Sequence, residues 1–96
     1  MNAISEEKLD KYFKITEKAF KKIKIKIPKN INLDDVAKDF LNIANCYYND
    51  AKYFKSKNDF VNAFAAINYA HAFLDAGARL KVFDVKDSKL FMVDDE

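Results

Sequence analysis

The stretch LDDVAKDFLNIANCYYNDAKYFKSKNDFVNAFAAINYAHAFLDAGARLK, residues 33–81, decides the fold. Its only glycine is Gly77 and it has no proline, so little interrupts helical geometry along its length. In its first half, apolar residues recur at steps of three and four, which is the spacing of one helix face. This stripe comprises Leu33, Val36, Phe40, Ile43, Ala44, Tyr47, Ala51 and Phe54. The polar residues 56–58 then predict a tight turn in which Asn58 caps the next helix, and so short a turn makes the two flanking helices antiparallel neighbours.

The second half of the stretch predicts a helix that is apolar on two sides. One side carries Phe60, Ala63, Phe64, Ile67, His71, Leu74 and Ala78, and the other carries Ala66, Tyr69, Phe73 and Leu80. A helix that is apolar on two sides is covered on two sides. The preceding helix covers one of them. We therefore predict that Tyr69, Phe73 and Leu80 form a partner surface, covered by the first helix, by the C-terminal tail or by another subunit.

Upstream of this stretch, the sequence predicts one more amphipathic helix. Ser5 can cap it, and apolar residues again recur at helical spacing from Leu9 onward. Residues 22–27 alternate Lys and Ile, which is typical of a strand, but we expect a fraying helix because Pro28 disfavours helical geometry at the residue before it. The predicted fold is thus an all-α, three-helix up-and-down bundle with helices over about 5–25, 33–56 and 59–81. A short apolar C-terminal extension follows, which either packs back or docks on a partner.

The composition predicts a single cytoplasmic domain over residues 1–96. Nine Phe and five Tyr supply enough bulk for one core in 96 residues, and this length is typical of one domain. Cys46 is the only cysteine, so no internal disulfide forms and no cysteine cluster binds a metal. The first seven residues lack the apolar run of a signal peptide, and no run of eighteen apolar residues predicts a membrane span. Motifs for nucleotide or zinc binding are absent, so we expect no cofactor.

The charge distribution suggests a nucleic-acid surface. The net charge of +2 divides into +5 over residues 1–29 and −3 over the rest. The candidate nucleic-acid face on the first helix consists of Lys14, Lys18, Lys21 and Lys22. Sixteen of the seventeen basic residues are Lys, however, and phosphate sites favour the planar, bidentate Arg. A solvated helix face is therefore the favoured interpretation.

Residues 44–85 resemble a known family. The motif is Ala44-x-x-Tyr47-x-x-Asp50-Ala51-x-x-Phe54, then Asn58-Asp59-Phe60-x-x-Ala63, then Tyr69-Ala70-His71-x-x-Leu74-Asp75-Ala76-Gly77. It is similar to the archaeal family catalogued as domain of unknown function number 357, whose hairpin ends in a Tyr-Ala-His, Leu-Asp-Ala-Gly segment. The resemblance implies a three-helix up-and-down bundle and no known activity. The spacing also resembles a tetratricopeptide hairpin, but only one copy is present and such repeats need about three to bury a core.

His71, Asp75 and Arg79 are the first candidates for chemistry, because steps of four residues place them on one side of a helix. His71 and Asp75 could act as an acid–base pair, but no nucleophile accompanies them by spacing. We predict that they are structural, with His71 partly buried against the second helix and Asp75 within reach. Asp50 and Tyr47 form a second polar candidate, at the rim of the hairpin. One His and scattered carboxylates do not match the spacing of a metal site.

Two functions from different classes therefore remain. The leading prediction is a non-catalytic interaction module that binds itself or another protein through its third helix and tail. The alternative is a nucleic-acid-binding domain. An enzyme is the least favoured class, because the Arg-then-His spacing of the RNA-cleaving helical domains is also absent.

Overall fold

The computed structural model describes residues 4–93, which contain three α-helices and no strand. These helices are α1 (Glu6–Lys22), α2 (Leu33–Ser56) and α3 (Phe60–Arg79). The all-α class with three helices is confirmed, and this content is consistent with a three-helix bundle in which α2 and α3 pack together. The chain divides into two compact units at Ile31 and Asn32, and the single-domain prediction stays a prediction. No helix among residues 4–93 is long and apolar enough to cross a bilayer.

The first unit is built around α1. Ser5 is its N-cap, as predicted, and its hydroxyl accepts a hydrogen bond from the Lys8 N–H at 3.1 Å. The helix ends at Lys22, three residues before the predicted end. Ile23 already has extended geometry, and residues 23–28 form neither helix nor strand. β-Branched Ile side chains favour extended backbone, which ends the helix well before the restriction imposed by Pro28 applies.

In the second unit, α2 is capped by Asn32 and ends in a Schellman motif. The Asn32 side chain accepts hydrogen bonds from the N–H groups of Asp34 and Asp35. At the other end Asn58 has a φ of 58°, and its N–H donates to Lys55 while the Asp59 N–H donates to Phe54. The prediction that Asn58 caps the next helix was wrong. Asp59 is the N-cap of α3, and Asn58 supplies the left-handed residue that closes α2.

Alanines make the contact between α2 and α3. The buried residues of α2 are Ala44 and Ala51, and those of α3 are Ala66, Ala70, Gly77 and Ala78. Small side chains let two helices approach closely, so the larger apolar side chains lie beside the contact and not within it. This leaves aromatic and aliphatic groups on both open sides of the hairpin.

After α3 the chain turns back along the same helix. Lys81 has a φ of 65°, and the N–H groups of Lys81 and Val82 donate to Ala78 and Gly77, which makes a second Schellman motif. The turn directs residues 82–93 toward α3. Of the two predicted paths for the apolar extension, the structure therefore shows the one that packs back.

Candidate functional site

The C-terminal segment is fastened to α3 by His71 and Asp75. His71 Nε2 donates a hydrogen bond to the carbonyl oxygen of Leu90 at 2.6 Å, since a carbonyl can only accept. Asp75 Oδ1 accepts a hydrogen bond from the Met92 N–H at 2.9 Å. The Phe91 ring, between these two positions, stacks on the imidazole with a centroid distance of 6.4 Å. Two side chains one helical turn apart thus bind the main chain of one short segment.

The same two side chains also contact each other. His71 Nε2 lies 3.6 Å from Asp75 Oδ1, so the predicted i,i+4 contact is present. The His71 side chain is 52% exposed and that of Asp75 22% exposed. The polar and ring contacts of His71 are with the C-terminal segment, whereas the sequence predicted packing on the second helix. Sequence reasoning missed Leu90 and Met92, because they contribute main-chain atoms that every residue type carries.

The segment that binds to α3 forms a local turn at Asp87, and we call residues 87–93 the hook. The Asp87 side chain accepts a hydrogen bond from the Lys89 N–H, and the Asp87 carbonyl accepts from the N–H groups of Leu90 and Phe91. Asp side chains commonly form such turns with the backbone two residues further on. The hook directs the Leu90 carbonyl and the N–H two residues later toward α3. An Asp followed by polar residues is the sequence signal that could have predicted this turn.

The Phe83 ring packs the start of the C-terminal segment against α3. Phe83 lies against Gly77, whose carbonyl accepts hydrogen bonds from the N–H groups of Val82 and Phe83. A Cβ built on Gly77 would overlap the Phe83 ring, with Cζ 2.9 Å away and other ring atoms closer. The glycine therefore lies inside α3 because the ring occupies the space that a side chain would need.

The predicted partner surface lies on one side of the hairpin, in a row of rings that we call the aromatic face. Tyr47 stacks on Tyr69 at 5.1 Å between centroids and on Phe73 at 6.3 Å, and Phe40 meets Phe73 edge-on at 5.6 Å. Tyr69 is 57% exposed, and Leu80 at the end of the helix is 48% exposed. The face is thus ordered by its own ring contacts. Tyr69 and Leu80 are exposed on it, and the other three rings are half-buried.

The remaining polar candidates do not assemble into a site. Tyr47 belongs to the aromatic face, while Asp50 and Arg79 are exposed. At 100° per residue, Tyr69 and His71 point about 160° apart on α3, so the aromatic face and the His71–Asp75 pair are separate. Cys46 is an exposed free thiol. Among residues 4–93 no group of three or more His, Cys, Asp or Glu side chains could hold a metal ion.

The lysines of α1 share one face of that helix. At 100° per residue they fall within an arc of about 140°. The arc comprises Lys8, Lys11, Lys14, Lys18, Lys21 and Lys22, all exposed. Glu7, in the first turn, lies within the arc, whereas Glu17 and Asp10 lie beside it. From Lys11 onward the helix therefore presents a cationic surface that includes the four predicted lysines.

Comparison with known proteins identifies the family. A family model described as protein of unknown function (DUF357) matches residues 11–83, which is most of the chain. No curated protein and no solved structure matches the chain. The matched range includes α2, α3, the His71–Asp75 pair and Phe83, and it ends before the hook at residues 87–93. On the strength of this match, the chain belongs to the DUF357 family of proteins of unknown function.

Proposed function

We propose that the domain is a non-catalytic interaction module that binds a second copy of itself or another protein through the aromatic face. The observation that carries this proposal is the exposure of Tyr69, 57%, beside stacked rings that already hold it in place. Tyrosine is enriched among the residues that dominate binding at protein interfaces. A side chain ordered before binding loses little rotamer entropy when the partner arrives.

The number of apolar surfaces supports the same proposal. The side of the hairpin opposite the aromatic face is also apolar, and we call it the apolar groove; it is formed by Leu41, Tyr48, Phe60, Phe64 and Ile67, each at least 37% exposed. The hairpin thus exposes apolar side chains on two sides, and the aromatic face is the side whose rings are already stacked on one another.

Replacing Tyr69 and Leu80 together by serine tests this proposal. We expect the native chain to self-associate and the double variant to bind its partner copy about tenfold more weakly or worse, since losing anchors of this kind costs more than about 1 kcal/mol. Sedimentation equilibrium over a concentration series measures the effect. The control is Leu41→Ser with Tyr48→Ser, which alters the apolar groove and leaves the aromatic face intact.

A photo-cross-linking amino acid in place of Tyr69 tests whether another protein binds this face in native cells. The same amino acid in place of Ala65, which is also exposed, is the control. A chain that stays monomeric and gives no cross-link specific to position 69 would contradict the proposal.

A second candidate function is nucleic-acid binding, which the cationic arc of α1 favours. Each Lys–phosphate contact releases counterions, so four contacts should weaken binding about a hundredfold between roughly 50 and 200 mM salt. Fluorescence polarisation with labelled RNA and DNA measures this slope. Changing Lys14, Lys18, Lys21 and Lys22 to Gln should abolish binding, whereas Lys52→Gln with Lys55→Gln on α2 should not. Absence of binding at low salt eliminates this candidate.

A further inference from the structure

We propose that His71 and Asp75 form a peptide-docking site that recognises a short segment by its main chain, and that the chain's own residues 90–92 fill it. The pair offers one donor and one acceptor, and the segment offers the matching carbonyl of Leu90 and N–H of Met92 at 2.6 and 2.9 Å. Neither group can exchange roles, because a carbonyl only accepts and an amide N–H only donates. The site therefore fixes the direction of the bound segment.

The residue in the middle of the segment supplies the side-chain preference. Phe91 stacks on the imidazole of His71 and is half-buried, whereas Leu90 and Met92 are 56% and 63% exposed. The ligand is therefore a three-residue segment with an aromatic residue in the middle. Its third residue can be of any type except proline, which has no N–H to donate.

The range of the family match separates the site from its ligand. His71 and Asp75 lie inside the matched residues 11–83, but the segment that they bind lies beyond them. Leu90 and Met92 are exposed, so among the three docked residues only Phe91 buries much apolar area, and residues 90–92 open at a lower free-energy cost than the helices.

Because docking is reversible, the emptied site can bind a segment from another molecule, and that segment is residues 90–92 of a second copy. When the segment of one copy leaves, the site is open to residues 90–92 of a second copy, which present the same carbonyl, ring and N–H. The segment on the same chain competes through its high effective concentration. The site lies about 160° around α3 from the aromatic face, so it goes beyond the proposed function and does not depend on it.

The experiment uses the full chain with Met92→Pro, which removes the N–H that Asp75 accepts and so opens the site. The probe is a fluorescein-labelled peptide with the native sequence of residues 86–93, followed by fluorescence anisotropy. We expect the opened chain to bind this peptide at least about tenfold more tightly than the native chain, whose own segment competes. Circular dichroism confirms that the helices of the opened chain are intact.

Variants of the two docking residues complete the test. In the opened chain, His71→Ala and Asp75→Ala should each weaken peptide binding about tenfold, whereas Asn68→Ala, an exposed position on the same helix, should leave it unchanged. A peptide with Phe91→Ala should also bind more weakly. The proposal is overturned if the opened chain binds the peptide no better than the native chain, or if binding persists unchanged without His71 and Asp75.

Discussion

Replacing Ala70 by leucine is expected to lower the free energy of unfolding by about 2–3 kcal/mol, at the upper end of the usual cost of overpacking. Ala70 is 4% exposed and Ala44 of the facing helix is 3% exposed, so three more carbon atoms at position 70 crowd the contact between α2 and α3. The larger side chain forces the helices apart. It thereby loosens the contact on which both open sides of the hairpin depend.

Urea denaturation followed by circular dichroism measures this loss, and Ala72→Leu is the matched control. Ala72 lies two residues further along α3 and is exposed, so the same substitution there should change stability by less than about 0.5 kcal/mol. Helix propensity changes equally in the two variants, and only the burial differs. Equal stability of the two variants would show that α2 and α3 are not held by a tight alanine contact.

The helices of this chain could be predicted from the sequence because helical spacing of apolar residues is a strong and local signal. The bounds of α2 were predicted correctly, since Asn32 is a good N-cap and the polar turn after Ser56 ends the periodicity. The predicted end of α1 was wrong. The Lys–Ile alternation and Pro28 were interpreted as signs of a fraying helix that reaches about residue 25, whereas the helix ends at Lys22. Local competition between helix and extended geometry decides such boundaries.

The contacts of the C-terminal segment could not be predicted in the same way. The i,i+4 relation of His71 and Asp75 follows from helix geometry, and it was predicted. Their partners, by contrast, are the main-chain carbonyl of Leu90 and the N–H of Met92, and main-chain groups leave no trace in residue identity. These contacts form only because the chain turns back after α3, with Lys81 in left-handed geometry. A lysine there carries no sequence signal for that conformation, which glycine or asparagine would have indicated.

Gly77 offers the sharpest test of how the segment is seated, because one substitution should have opposite effects in two backgrounds. In the native chain, Gly77→Ala is expected to lower the free energy of unfolding by about 1 kcal/mol, since the new methyl group displaces the Phe83 ring from α3 and loses its packing. In a Phe83→Ala background the space is free. There the same substitution should stabilise the chain by about 1 kcal/mol, which is the helix-propensity advantage of alanine over glycine.

The difference between the two effects, about 2 kcal/mol, is the coupling energy that a double-mutant cycle assigns to the contact between Gly77 and the ring. Denaturation of the four proteins measures it, and the Phe83→Ala chain is the control for lost ring burial alone. If Gly77→Ala stabilises both backgrounds equally, the ring does not rest on the glycine. The segment would then be held by its hydrogen bonds to α3 and by the stacking of Phe91 on His71, and the glycine inside α3 would have no packing reason.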